Sequence, residues 1–200
     1  MKKILLSAIL AIQTFAGGDI ETPTEIDLPG SAPAIHHDHE ESRYYVVLSG
    51  LVLLGDEFEH GKTLLDGNDN PGYGFGLDIG YRIGNGFAFE YDFTYGKNDV
   101  KEIIDSEVRE VGSEYYTSAL DIVYTYEATE HLGLFGKVGY EYEWEKISKL
   151  GIDSKEHDFV FGAGIEYKVN ESYKAIVEYE YSMIEGPHGD AILAGIMYNL

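Results

Sequence analysis

The last ten residues of the chain alternate between two faces without interruption. One face carries Ile192, Ala194, Ile196, Tyr198 and Leu200, and the other carries Ala191, Leu193, Gly195, Met197 and Asn199. Successive side chains of a strand point to opposite sides, so a period of two residues predicts a β-strand over this segment.

The same alternation recurs along the chain. In residues 173–183, for example, Tyr173, Val177 and Tyr181 share one face, and Lys174 and Glu178 share the other. Most segments have about the 9–11 residues that a tilted strand needs to cross a membrane. The pattern predicts eight strands, at residues 44–54, 73–83, 87–95, 115–126, 132–145, 157–167, 173–183 and 191–200.

The predicted connections alternate between short and long. Residues 84–86, 128–131 and 169–172 form short turns, whereas 55–72, 96–114, 146–156 and 184–189 form longer loops. Short turns at one end and long loops at the other are typical of outer-membrane barrels. We therefore expect an all-β, eight-stranded, antiparallel up-and-down transmembrane barrel over residues 44–200, with periplasmic turns and extracellular loops.

Alternation alone does not say which face points outward, and a soluble calycin-like barrel would place its apolar face inside. Aromatic residues here stand near the strand ends and aliphatic ones stand between them, which is the order of a membrane strand. The sequence predicts an aromatic belt made of Tyr73, Tyr81, Tyr95, Tyr116, Tyr124, Tyr126, Tyr142, Trp144, Tyr173, Tyr179 and Tyr181.

The opposite face mixes glycine with charges of both signs, which suits a narrow barrel interior. Glycine weakens an ordinary strand, so Gly72, Gly74, Gly76 and Gly80 are better explained as interior glycines than as a phosphate-binding loop. The predicted interior charges are Asp78, Arg82, Glu90, Asp92, Asp121, Lys137, Glu141, Glu166, Lys174, Glu178 and Glu180.

The N-terminal region differs from the rest of the chain. Lys2 and Lys3 precede an apolar run, and residues 14–16 resemble a cleavage site, so residues 1–16 are predicted to be a signal peptide. Its removal would change the formal charge from −22 to −24, since it holds two lysines and no acidic residue. Residues 17–43, with Pro23, Pro29 and Pro33, are predicted to be a flexible periplasmic lead-in.

Taken together, the tyrosine-ended strands and the terminal alternation resemble the small eight-stranded outer-membrane proteins of Gram-negative bacteria. The likeness is to the OmpA-like transmembrane domain and its porin-family relatives, over about residues 44–200. It implies a monomer in the cell outer membrane and an assembly signal, read by the barrel-assembly machinery, at Ile196, Tyr198 and Leu200. That family commonly ends in Phe, whereas this chain ends in Leu200.

Metal and catalytic chemistry have weaker candidates. His36, His37, His39, Glu40 and Glu41 have the side chains of a metal site, but they lie in the predicted lead-in. Asp66, Asn68 and Asn70 resemble the start of a calcium loop, yet Pro71 replaces its glycine and Leu77 its glutamate. We expect no metal, no cofactor and no catalytic residue; Ser182, His188 and Asp190 are the best available hydrolase trio.

The predicted loop 96–114 is acidic, with six acidic residues against Lys97, Lys101 and Arg109. A solvated loop is the simpler interpretation; the functional one is that divalent cations bridge its carboxylates to lipopolysaccharide. A polyanion such as nucleic acid would be repelled. Three functions stay open: a structural or surface-interaction barrel without catalysis, a narrow pore for ions or small solutes, and a membrane-embedded acyl-transfer or hydrolytic enzyme.

Overall fold

The computed structural model describes residues 42–60, 63–68, 70–104, 107–147 and 149–200. The predicted signal peptide and most of the predicted lead-in, including the histidine cluster at His36 to His39, lie outside the described residues. Within the described ranges, no helix is long and apolar enough to cross a membrane.

Strands make up most of the described chain. Their bounds are β1 Tyr44–Leu53, β2 Glu57–His60, β3 Thr63–Asp66, β4 Gly72–Gly84, β5 Phe87–Ile104, β6 Glu107–Glu127, β7 Leu132–Ile147, β8 Ile152–Lys168, β9 Tyr173–Ser182 and β10 Ala191–Asn199.

Eight of these strands close into an antiparallel ring. Around the ring, β1 pairs with β4, β4 with β5, and each later strand with the next as far as β10, which pairs back with β1. The closing seam runs from Tyr45 opposite Asn199 to Leu53 opposite Ala191. The predicted fold class is therefore confirmed, and every strand of the ring has two hydrogen-bonded neighbours.

One end of the barrel, here called the turn end, holds the three short turns and the start of β1. The tightest of them, Gly84-Asn85-Gly86, has positive φ at all three residues, 116°, 54° and 80°. Glycine and asparagine tolerate that left-handed conformation, which explains why this sequence forms the turn.

The opposite end, here called the hairpin end, differs from the prediction. Residues 96–114 were expected to form a loop, but β5 continues to Ile104 and β6 begins at Glu107. Opposite charges face each other across the two strands, with Lys97 beside Glu114, Lys101 beside Glu110 and Glu102 beside Arg109. Pairs of this kind stabilise an antiparallel ladder, so the charges support a strand rather than a solvated loop.

A small apolar cluster holds the extension together from inside. It comprises Leu65, Val100, Val111 and Ile147, each no more than 3% exposed. The hairpin β2–β3 lies within predicted loop 55–72 and adds to the edge of β5. Predicted loop 146–156 is shortened because β7 and β8 pair as far as Ile147 and Ile152.

The two faces of the ring differ as the alternation predicts. On β6, Leu120 is 67% exposed, whereas its neighbour Asp121 is 2% exposed. Along β10, Ile192, Ile196 and Tyr198 point outward while Leu193 and Met197 are buried. The barrel thus turns apolar side chains outward and encloses ionic side chains such as Asp121.

Two interior glycines make room for buried tyrosine rings. A Cβ at Gly80 would lie 2.0 Å from the ring of Tyr45, and one at Gly96 would lie 2.3 Å from the hydroxyl of Tyr115. Both distances are well inside van der Waals contact, so each ring packs on bare backbone. At these two positions, the neighbouring tyrosine therefore requires glycine.

Candidate functional site

A buried ionic cluster occupies the middle of the barrel. The ammonium of Lys137, on β7, lies 2.8 Å from Asp92, 2.9 Å from Glu178 and 3.1 Å from Glu180. Its side chain is only 2% exposed. A charge taken out of water this far must be paired, and three carboxylates from β5 and β9 pair with this one.

Carboxylates nevertheless outnumber cations inside the barrel. Asp78 on β4 faces Asp92 on β5, and Glu90 on β5 faces Asp121 on β6. Neither oxygen of Asp121 accepts a hydrogen bond from the described part of the chain. The electrostatic potential inside the barrel is therefore strongly negative.

Toward the turn end, several interior groups are linked to one another. Lys174 bonds Glu166 at 2.9 Å, and the hydroxyl of Tyr45 donates to Glu90 at 2.5 Å. Arg82 donates to the carbonyl of Ser42 at 2.7 Å and to the side chain of Asn199 at 2.8 Å. Its guanidinium also lies 4.5 Å from the centre of the Tyr45 ring.

At the hairpin end, residues 183–190 fold into the barrel mouth and are here called the inner loop. Pro187 is fully buried, and its carbonyl accepts hydrogen bonds from Asn98, at 3.0 Å, and from the amide of Asp56, at 3.2 Å. The amide of Gly55 donates to the carbonyl of His188 at 2.9 Å. The predicted extracellular loop 184–189 is thus bound to β5 and to the residues after β1.

His188 is another buried side chain of the inner loop, 4% exposed. Its ring stacks on Tyr115 with centroids 4.8 Å apart, and Nε2 lies 3.2 Å from an oxygen of Glu143. Burial lowers the pKa of His188, although Glu145, Asp190, Asp56 and Glu180 oppose that shift. The sequence singled out His188 only as a candidate catalytic residue. Its position inside the barrel could not be predicted, because no periodic pattern distinguishes a loop that turns inward.

The three members of the candidate hydrolase trio bind different partners. Ser182 donates to Glu141 at 2.9 Å, the hydroxyl of Tyr179 donates to Asp190, and His188 contacts Glu143. Neither Ser182 nor Asp190 is the hydrogen-bond partner of the histidine, as an activated nucleophile would require. The structure therefore does not assemble this trio.

Metal chemistry gains no support from the described ranges. No group of three or more His, Cys, Asp or Glu side chains there has the geometry to hold a metal ion. The segment that resembles the start of a calcium loop forms a local turn. In it, Asp66 accepts hydrogen bonds from the amide and side chain of Asn68, at 3.0 and 3.2 Å.

The eleven predicted belt residues occupy outward-facing positions, and aromatic contacts group seven of them at two heights. Near the turn end, Tyr44 contacts Tyr81 at 5.0 Å, Phe87 contacts Tyr124 at 4.9 Å and Tyr173 contacts Tyr198 at 5.0 Å. Toward the hairpin end, Tyr95 contacts Tyr116 at 4.9 Å and Tyr142 contacts Trp144 at 4.7 Å. The sequence prediction omitted Tyr44, Phe87 and Tyr198, which alternate in the same way.

Comparison with known proteins places this geometry in a class of membrane proteins. The model of the outer membrane protein beta-barrel domain matches residues 28–199, which is most of the chain. This chain belongs to that family, and its location is the outer membrane. A search of curated proteins gave no match.

Solved structures show the same fold at low sequence identity. OprG from Pseudomonas aeruginosa has a TM-score of 0.64 at 11% identity, covering 80% of this chain and 97% of that chain. Neisserial surface protein A has a TM-score of 0.57 at 16% identity, with 80% and 98% covered. Ail of Yersinia pestis, crystallised with the heparin analogue sucrose octasulfate, has a TM-score of 0.50 at 18% identity, with 80% and 97% covered.

Proposed function

We propose that this protein is a closed structural and surface-interaction barrel, without catalysis, whose hairpin end faces the outside of the cell. The observation that carries the proposal is that side chains fill the middle of the barrel and its mouth at the hairpin end. The Lys137 cluster occupies the middle of the barrel, and the inner loop with His188 occupies its outer mouth. Eight strands leave room for little more than side chains, so a solute would have to displace both.

The lengths of the strand connections support this orientation of the barrel in the membrane. The short turns and the first residues of β1 lie at the turn end, which we place in the periplasm. The outward-facing aromatic residues would form belts at the two membrane interfaces. Ile196, Tyr198 and Leu200 lie exposed along the last strand, where the assembly machinery would read them.

Spin labels test the faces of the barrel directly. Leu77 and Val177 are 39% and 47% exposed, whereas Gly76 and Glu178 are buried. Labels at the first pair should report contact with lipid, and labels at the second pair should not. The opposite result would reject the membrane orientation.

Conductance in planar bilayers separates the closed barrel from a pore. We expect the purified protein to insert without steady conductance. The second candidate, a narrow cation-preferring path, is favoured only by the surplus of interior carboxylates. Steady wild-type conductance that Glu141→Gln or Arg82→Gln abolishes would establish that pore and overturn the closed barrel.

We infer that lipopolysaccharide is the partner of the exposed acidic groups at the hairpin end, with divalent cations between the two sets of anions. Asp99, Glu107 and Glu110 are exposed there. Lipopolysaccharide binding should then fall when EDTA is added and return with Ca²⁺. Replacing Glu107 and Glu110 by Gln should remove the Ca²⁺ effect, whereas Glu127→Gln at the turn end should not.

The same surface argues against a ligand of the kind crystallised with Ail. The β5–β6 hairpin, over residues 96–114, carries more carboxylates than cations. A sulfated sugar would therefore be repelled. We expect no binding of sucrose octasulfate at physiological salt when EDTA removes divalent cations, and measurable binding under that condition would show that the acidic groups do not control this surface.

A further inference from the structure

A cavity opens into the barrel from the turn end. It measures about 480 Å³, and its mouth lies between the turn at Gly84 to Phe87 and the end of β6 at Tyr124 to Glu127. We call this space the vestibule. Such a volume is within the range of about 300–1,000 Å³ that small-molecule sites usually have.

Nearly every buried carboxylate of the vestibule already has a partner. Glu90 accepts the Tyr45 hydroxyl, Glu166 binds Lys174, and Glu178 binds Lys137. Asp78 lines the same space and is 6% exposed, yet its carboxylate forms no hydrogen bond or ion pair with the described residues.

Asp78 also lies deep in the vestibule. It precedes the turn at Gly84 by six residues of β4, and each residue of a strand adds about 3.3 Å. A group that reached Asp78 from the turn end would therefore have to pass well inside the barrel. Burying a carboxylate without a partner costs free energy, and a bound cation would supply that partner.

The wall of the vestibule contains an apolar stretch beside Asp78. Val47, Ile176, Met197 and Val123 are each no more than 7% exposed, and Phe135 packs against them. The two basic residues of the lining do not leave a free site for an anion, since Lys174 binds Glu166 and Arg82 binds Ser42 and Asn199.

From this arrangement we propose that the vestibule binds a small organic cation, an ammonium group on a short apolar chain. The ammonium group pairs with Asp78, and the chain lies along Val47, Ile176 and Met197. Nothing in the closed-barrel function requires this site, because the Lys137 cluster separates it from the hairpin end.

Methionine NMR gives a site-resolved test. Met197 lines the vestibule, whereas Met183 lies 45% exposed in the inner loop at the other end of the barrel. The full chain, in phosphatidylcholine nanodiscs with ¹³C-methyl methionine, is titrated with n-hexylammonium. Saturable movement of the Met197 signal, with Met183 unchanged, is the expected result.

The variant Asp78→Asn should weaken this binding by about tenfold or more, because it removes a charge-assisted hydrogen bond. Asp121→Asn is the matched control, since Asp121 is also a buried interior carboxylate without a hydrogen bond but lies outside the vestibule lining. An unchanged Met183 signal shows that each variant is folded.

Chain length and charge complete the test. Affinity should rise from methylammonium to hexylammonium, and Ile176→Ser should flatten that rise. The proposal is overturned if hexanoate binds as well as hexylammonium, if Asp78→Asn binds normally, or if Met183 and Met197 move together through general partitioning into lipid.

Discussion

At the scale of single residues, the interior depends on one buried cation that pairs with three carboxylates. Lys137 contacts Asp92, Glu178 and Glu180 from the centre of the barrel. Removing one partner of a buried ionic group leaves the others unpaired, which is usually more costly than the pairing was favourable. Lys137 should therefore be among the residues most sensitive to substitution.

Lys137→Met keeps a long side chain but removes its charge, so it should destabilise the barrel by about 3–5 kcal/mol. The measurement is urea unfolding in lipid vesicles, followed by the heat-dependent gel shift of the folded barrel. Lys155→Met is the control, because Lys155 is exposed on β8. Equal losses in the two variants would contradict the central role of the cluster.

Gly80→Ala should cost about 1–3 kcal/mol, because the new methyl group would overlap the Tyr45 ring. Gly50→Ala provides a control within the neighbouring strand, since nothing lies within 4 Å of a Cβ there. The same unfolding assay compares the two. If Gly50→Ala lost as much stability as Gly80→Ala, the cause would be strand propensity rather than packing against Tyr45.

At the scale of elements, polar–apolar alternation predicted most of the ring strands, since one face of each meets lipid and the other the interior. The first, residues 44–54, is apolar on both faces and was the least clear. It did not predict the extension of β5 and β6, because their charges resemble those of a solvated loop. Lys101 pairs with Glu110, and Val100 with Val111, only in one register of β5 against β6. The sequence of one strand alone does not reveal that register. The ion-pair partners of the interior charges could not be predicted from the sequence for the same reason.

The apolar cluster of the hairpin end predicts a selective effect. Val100→Asp would bury a charge at a position that is 0% exposed, so the β5–β6 extension should open while the ring stays closed. Limited proteolysis should then cut within residues 97–114, with the gel shift of the barrel retained. Val108→Asp, at a position 58% exposed, should leave the extension resistant.

At the scale of the whole molecule, the barrel is closed differently at its two ends. The turn end holds an open cavity, whereas the hairpin end is filled by the inner loop and by β2–β3 packed on β5. The inward course of that loop was beyond sequence reasoning, since its contacts come from strands far apart in the chain. Closure of the hairpin end therefore depends on a few loop contacts.

Acid should loosen that closure. Because burial lowers the pKa of His188 below its ordinary value of 6.5, the unfolded loop binds a proton more readily than the folded one. The stability of the inner loop is complete above about pH 6.5 and falls as the pH drops toward the lowered pKa.

Hydrogen exchange measures this effect at the amides of Gly55 and Asp56, which donate to the inner loop. After correction for intrinsic exchange rates, their protection should fall between pH 7 and pH 5. The His188→Asn variant should lose the pH dependence. Protection that is constant with pH in the wild type would show that His188 does not control the loop.

The seam between β1 and β10 joins residues about 150 positions apart, as in the pair Tyr45 and Asn199. Contacts so remote in sequence carry a large loop-closure entropy and form slowly. Until that pair of strands meets, the nascent sheet has two unpaired edges, each able to hydrogen-bond with another polypeptide. Biogenesis of this protein thus has a vulnerable period that ends only when its final strand arrives, and a catalyst of insertion would have to shield both edges until then.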